Sequence, residues 1–204
     1  MITINREVGS GGRTVGRKLA ETLGVKYCDK AVIDGLTKKF GLTPERIEEI
    51  KAHKKSWWND INNYYQTLVN STSQPMEAEV KLDNATMFET EKRIQQELAS
   101  KTSCVIAGRT GFMVFREWPN HLSVFIQASM DYRIKRIMDR QNVSMDEARD
   151  IIAKIDATRE AYIKKYEDTS RYDTRNYQLV ISMDGLTEDD AAQIILDYIN
   201  RTSK

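Results

Sequence analysis

Arg6-Glu7-Val8-Gly9-Ser10-Gly11-Gly12-Arg13-Thr14-Val15-Gly16 follows a short alternating run, Ile2–Ile4. It opens into a helical repeat, Val15, Leu19, Ala20 and Leu23, that stops at Gly24. The order is strand, glycine-rich turn, helix. Clustered glycines let backbone N–H groups turn towards an oxyanion, and a helix N-terminus adds partial positive charge at the same place. Arg13 supplies a full cation, and the Thr14 hydroxyl reaches a phosphate or a bound magnesium. Gly9, Ser10, Gly11, Gly12, Arg13 and Thr14 are therefore read as an anion site.

Outward from this turn, β-like runs recur at Lys26–Cys28, Cys104–Ala107, Leu122–Ile126 and Gln178–Ser182, with helical patterns between them. Helix starts are marked by Thr43-Pro44, Thr86…Glu89, Ser129-Met130-Asp131, Ser144…Glu147 and Thr187…Asp190, each an N-cap or capping-box pattern. Strands alternating with helices predict an α/β domain with a parallel five-stranded sheet covered on both faces. The alternation breaks between about Leu36 and Ser100, a charged helical span that includes Lys55–Gln66 and a loop near Asn70–Pro75. It reads as a helical insert in one domain of residues 1–204. Trp57, Trp58, Tyr64 and Tyr65 are read as packing or a dimer contact, which leaves a homodimer open.

The 204 residues suffice for one sizeable buried core. Hydrophobic residues at 40% and charged residues at 30% describe a globular chain rather than a disordered one. Lys+Arg 31 against Asp+Glu 30 speaks against a nucleic-acid polymer or a membrane surface as partner, so any anion must be held by a local site. Cys28 and Cys104 lie in apolar runs and read as buried reduced thiols. MITINREV carries no signal-peptide pattern, and no apolar stretch approaches the ~20 residues of a membrane span. The chain reads as cytoplasmic.

Two templates compete for the turn. Walker A, G-x-x-x-x-G-K-[ST], fits with Glu7 at its first glycine and Arg13 at its lysine, or with Arg6 and Gly12 there instead. The dinucleotide fingerprint G-x-G-x-x-G fits Gly9 and Gly11 but meets Thr14 at its third glycine; Asp29, twenty positions after Gly9, stands where an acidic residue would hold a ribose. A second cluster favours nucleotide phosphates. Arg109 emerges from the third strand, Arg133, Arg136 and Arg140 recur at helical spacing, and Arg149, Asp156 and Arg159 follow on the next helix. Repeated arginine suits bidentate contact with several phosphate oxygens. Phosphoryl transfer depends on such cations to position and neutralise oxyanions.

GSGGRTVGRKLAETLGVKYCDK, VIAGRTGFMVF, DYRIKRIMDR and KIDATREAYIKKY together resemble the cytidylate kinase-like branch of the P-loop nucleoside monophosphate kinases. The resemblance runs along most of the chain and is weakest across Leu36–Ser100. It implies a P-loop NTPase-type three-layer α/β/α fold and ATP-dependent phosphorylation of a nucleoside monophosphate, CMP or dCMP first. It also implies that Asp29, Arg109 and Asp156 bind the acceptor, that Arg136, Arg140 and Arg159 act with Arg13 on the phosphoryl group, and that the adenine packs on Ser182–Gly185.

Three departures accompany the resemblance. The Walker lysine is absent, so Arg13, with Arg6 as second candidate, takes its place. Thr110 stands where the family has aspartate. No apolar run ends in a Walker B aspartate, which leaves Thr14, Ser10 and water for Mg2+. Two other function classes follow from these residues: a nucleotide-binding module with little transfer and a partner-facing insert, and a dinucleotide-dependent oxidoreductase.

Overall fold

Ile2–Arg6 forms β1, buried along its whole length. Its residues alternate between two apolar layers, as strands covered on both faces require. Ile2 and Ile4 enter the main core, while the Asn5 side chain bonds Tyr177 of the opposite layer. The computed structural model describes residues 1–29, 33, 37, 41, 84–108 and 110–202. These fall into two units, Met1–Tyr27 with Thr102–Lys204, and Cys28–Lys101.

In the first unit, α1 (Gly12–Leu23) leaves the glycine-rich turn. After it come β3 (Cys104–Ala107), the short α3 (Gly111–Val114) and β4 (Leu122–Gln127). Then follow α4 (Met130–Gln141), α5 (Met145–Tyr166), a 3-10 turn (Thr174–Asn176), β5 (Leu179–Ser182) and α6 (Glu188–Thr202). β2 (Lys26–Asp29) begins in the first unit and ends in the second, which also holds α2 (Asn84–Lys101).

The sheet is parallel, in the order β2-β3-β1-β4-β5, so β1 is central. Ile4 lies opposite Ala107 on one side and Val124 on the other, and the ladder with β4 continues to Arg6 opposite Ile126. Val15, Leu19 and Ala20 of α1 and Ala191, Ala192 and Ile195 of α6 cover one face with Val124 and Ile126. Phe112, Met113, Ile163 and Tyr177 pack with Phe125 on the other. The result is a three-layer α/β/α arrangement.

The sequence reading places all five strands. β1 runs two residues further than expected because Asn5 and Arg6 still pair with Phe125 and Ile126. The Ser144–Glu147 capping box is present in full, Thr187 and Asp190 bond each other's backbone reciprocally, and Ser129 caps α4. Gly24 closes α1 in the left-handed conformation. Thr86 does not start its helix, since α2 already runs from Asn84. Thr-x-x-Glu also occurs as an ordinary i,i+3 pair inside helices, so that spacing does not locate a terminus by itself.

Cys28 and Cys104 are buried thiols outside any disulfide, as expected, and burial pushes the Cys104 thiol up to about 11. Unit two, Cys28–Lys101, contains the span expected as the insert. Thr43-Pro44, Trp57, Trp58, Tyr64, Tyr65 and the loop at Asn70–Pro75 lie outside the described residues. Among the described residues, no helix is long and apolar enough to cross a membrane.

Candidate functional site

In open parallel sheets, ligands bind beyond the carboxyl ends of strands where the connections diverge to either side. Here that place is the end of β1, between β3 and β4. The chain turns there through Gly9 and Gly11, both with positive φ (83° and 88°), a conformation L-residues with side chains seldom adopt. α1 starts at Gly12, and the N–H groups of Gly11 and Gly12 have no acceptor among the described residues. A side chain at Gly12 would place its Cβ 2.8 Å from the Arg6 Cβ; one at Gly9 would meet the Arg133 carbonyl at 2.9 Å. The turn is thus pressed against the strand below it and α4 beside it.

Around the turn stands a set of guanidinium groups held by three carboxylates. Arg133 is buried; its Nε donates to the Val8 carbonyl at 2.8 Å, Nη1 lies 3.1 Å from Glu7, and Nη2 pairs with Asp156. Glu7 also accepts the Ala128 N–H at 3.1 Å. One Asp156 oxygen accepts the Val8 N–H at 3.2 Å and lies 3.4 Å from Arg171 and 3.7 Å from Arg159. Arg159 donates to the Arg6 carbonyl at 3.2 Å, and Arg136 pairs with Glu188 beside Gly11. The Arg6 guanidinium lies against Gly108 at the end of β3, where a Cβ would stand 2.3 Å from its Nη1.

Among the described residues, guanidinium groups outnumber carboxylates here. Burial, with Arg6 and Arg171 as neighbouring cations, pulls the Arg159 pKa down to about 9, against the opposing pull of Asp156. Arg159 therefore remains charged at neutral pH. A bound polyphosphate would relieve that excess.

Each candidate site residue read from sequence has a definite place, with the exception of Arg109. Arg13 is exposed on the first turn of α1, and Thr14 beside it is half-buried. Ser10 is fully buried, and its hydroxyl donates to the Glu7 carbonyl at 3.0 Å. Arg136 and Asp156 join the cluster, Arg159 with them. Arg140 stays exposed in the last turn of α4, with no ion pair to any described residue. Asp29 ends β2, buried, in the second unit. Arg109 lies outside the described residues, while the hydroxyl of its neighbour Thr110 is buried without a hydrogen bond to any described residue.

Sequence reasoning passed over Glu7, Glu188 and Arg171. Glu7 was quoted within the turn without a role. Arg171 is an isolated arginine in an irregular loop, so no periodicity draws attention to it. Among the described residues, no group of three His, Cys, Asp or Glu could hold a metal ion. The Thr14 hydroxyl makes no hydrogen bond to any described residue, so it suits a magnesium whose other ligands are phosphate oxygens and water.

A model of the cytidylate kinase-like family matches residues 1–185. The chain belongs to the cytidylate kinase-like family. The match covers the turn and the arginines of α4 and α5, while Glu188, which pairs with Arg136, lies just beyond it. A cytidylate kinase of Sulfolobus acidocaldarius is 31% identical over 118 residues, spanning 56% of this chain and 64% of that protein. A cytidylate kinase of Thermoplasma acidophilum is 24% identical over 205 residues, 100% of this chain and 94% of that protein.

Among solved structures, an uncharacterized protein from Eubacterium ventriosum superposes with a TM-score of 0.68 at 26% identity, covering 98% of this chain and 97% of that one. Shikimate kinase from Bacteroides thetaiotaomicron superposes with a TM-score of 0.53 at 16% identity over 98% and 97% of the two chains, a likeness of fold. Family and fold together agree with the kinase-like α/β domain that the sequence resemblance implies.

Proposed function

We propose that this chain is an ATP-dependent nucleoside monophosphate kinase, with CMP and dCMP as the first acceptors to try. The observation that carries the reading is the arginine cluster at the end of β1. Arg6, Arg133, Arg136, Arg159 and Arg171 converge there around backbone N–H groups that have no acceptor among the described residues. Such a site suits a polyphosphate and serves a reaction whose chief demand is to hold and neutralise oxyanions.

In this reading Gly9, Ser10, Gly11, Gly12 and Thr14 hold the ATP β- and γ-phosphates through the turn and the first turn of α1. Arg13 takes the part of the missing lysine. Its forked guanidinium spreads charge over two oxygens where an ammonium would concentrate it on one. Arg136, Arg140 and Arg159 neutralise the γ-phosphoryl group as it passes between nucleotides. Both Asp156 oxygens are occupied by Val8 and three arginines, so it acts on the acceptor by fixing those cations. Arg109 and Asp29 orient the acceptor.

Thr14 would hold magnesium, which would supply charge withdrawal from phosphate oxygens. The Ser10 hydroxyl, buried against Glu7, is better placed to brace the turn. The acceptor phosphate is anionic at neutral pH, so the reaction needs no strong general base. Closure of the arginines over the phosphates would exclude water and limit hydrolysis.

A coupled ADP-release assay with ATP and magnesium across CMP, dCMP, UMP, AMP and GMP, with a no-acceptor control, tests the reading. Acceptor-dependent turnover favouring pyrimidines supports it. ATP binding without acceptor-dependent turnover would turn the reading to a nucleotide-binding module, which the missing lysine favours.

A further inference from the structure

Arg171 is fully enclosed (0% exposed), so it touches no ligand. It nonetheless reaches the two groups on which the site is built. Its Nη2 donates to the carbonyl of Arg6, the last residue before the glycine-rich turn, and its Nη1 lies 3.4 Å from Asp156. From its own backbone a circuit of hydrogen bonds leads back to Arg6. The Arg171 carbonyl accepts the Tyr177 hydroxyl at 2.7 Å, the Tyr177 oxygen accepts the Asn5 Nδ2 at 2.7 Å, and Asn5 Oδ1 accepts the Arg6 N–H at 2.9 Å.

Both backbone polar groups of Arg6 are therefore fixed by one closed loop of contacts. The Arg171 N–H is anchored in turn on the Glu160 carboxylate of α5, at 3.1 Å. A guanidinium suits this place because its planar fork holds separate nitrogens towards two acceptors in fixed directions, whereas an ammonium presents all its donors from one atom on a flexible stem.

We infer that Arg171 is a positioning residue. Its circuit through Tyr177 and Asn5 sets the peptide that delivers β1 into the phosphate-binding turn, and its contact with Asp156 helps to set Arg159. The inference deepens the kinase reading and rests on it for the role of Arg159. For the turn itself it requires only that the turn bind a polyphosphate.

The test compares wild type, Arg171→Lys, Arg171→Met and Tyr177→Phe by calorimetric titration with ATP, well below each protein's melting temperature. Steady-state kinetics are run alongside. Tyr177→Phe opens the circuit without changing any charge, and should weaken ATP binding by about 3–10-fold. Arg171→Lys keeps the charge but loses the fork, and should weaken it by at least ~10-fold, the scale of one charge-assisted hydrogen bond. In both, kcat should fall more than the acceptor KM rises.

Wild-type affinity and kcat in Tyr177→Phe and Arg171→Lys, even with lowered melting temperatures, would reduce Arg171 to a structural residue and overturn the inference. If the Arg171 variants do not fold, Tyr177→Phe decides alone. Wild-type protein that binds ATP but lacks acceptor-dependent turnover would defeat the kinase reading, while the affinity comparison still decides the part of Arg171. Wild-type protein that binds neither ATP nor pyrophosphate would overturn both.

Discussion

The Val8 N–H donates to the Asp156 carboxylate at 3.2 Å, joining the glycine-rich turn to the middle of α5 across 148 positions of chain. The same carboxylate faces Arg133, Arg159 and Arg171. Asp156 thereby links the turn that would hold phosphate to the cations that would neutralise it. Its removal should affect folding and function together.

For Asp156→Ala the expected loss of stability is about 3–5 kcal/mol, the range found when one partner of a buried ion pair is deleted and uncompensated charge stays behind. Asp156→Asn keeps an oxygen for the Val8 N–H and should lose less. Urea unfolding of the two variants checks this. Equal and small losses would show that the arginines are held by something other than the carboxylate.

Gly12→Ala should disturb the turn more than a helix-interior glycine replacement would. The new methyl would lie 2.8 Å from the Arg6 Cβ and 3.0 Å from its Cδ, so α1 or the end of β1 must shift. An overpacking cost of about 1–3 kcal/mol is expected, with ATP affinity reduced in the same variant. Titration calorimetry with ATP is the measurement, and undiminished affinity would place the phosphates elsewhere.

Arg13→Ala should slow ATP-dependent turnover by at least ~100-fold, the scale of losing one preorganised donor to the transition state. Arg109→Ala should raise the acceptor KM more than the ATP KM. Steady-state kinetics with both substrates varied separate the two variants. Unchanged turnover in Arg13→Ala would leave Arg6 as the candidate for the lysine's part.

Stability should also depend on His121. Burial pulls its pKa down to about 4 from the ordinary 6.5, and its Nε2 lies 2.8 Å from the Thr3 hydroxyl. As pH falls below 6.5 the unfolded chain takes up this proton first, so the contribution is complete above that value and disappears on approach to pH 4. Allowing for partial exposure, the change is about 2 kcal/mol. Urea titrations between pH 7 and 4 should show a shallower fall for His121→Gln than for wild type; parallel curves would remove His121 as the source.

Strand positions, four of the helix signals and the glycine-rich turn of Gly9–Thr14 were legible in the sequence because each depends on neighbours a few residues apart. The Ser144–Glu147 box is an example, since both of its hydrogen bonds span three positions. Thr86 shows the limit of such patterns, because the same spacing serves a helix interior. The arginine repeat on α4 was visible too, but spacing could not show that Arg133 turns inward to Glu7 and Asp156 while Arg140 remains exposed.

By itself, the sequence determined a parallel α/β chain with a glycine-rich turn after its first strand and a surplus of arginine available to it. Only the tertiary structure decided how those cations are used. Glu7, Asp156 and Glu188 assign three arginines their places, and Arg171, from an irregular loop, is enclosed beneath Arg6. The reason is physical: local pattern governs backbone conformation, whereas a buried charge is stable only where distant segments supply its counter-charge and hydrogen bonds.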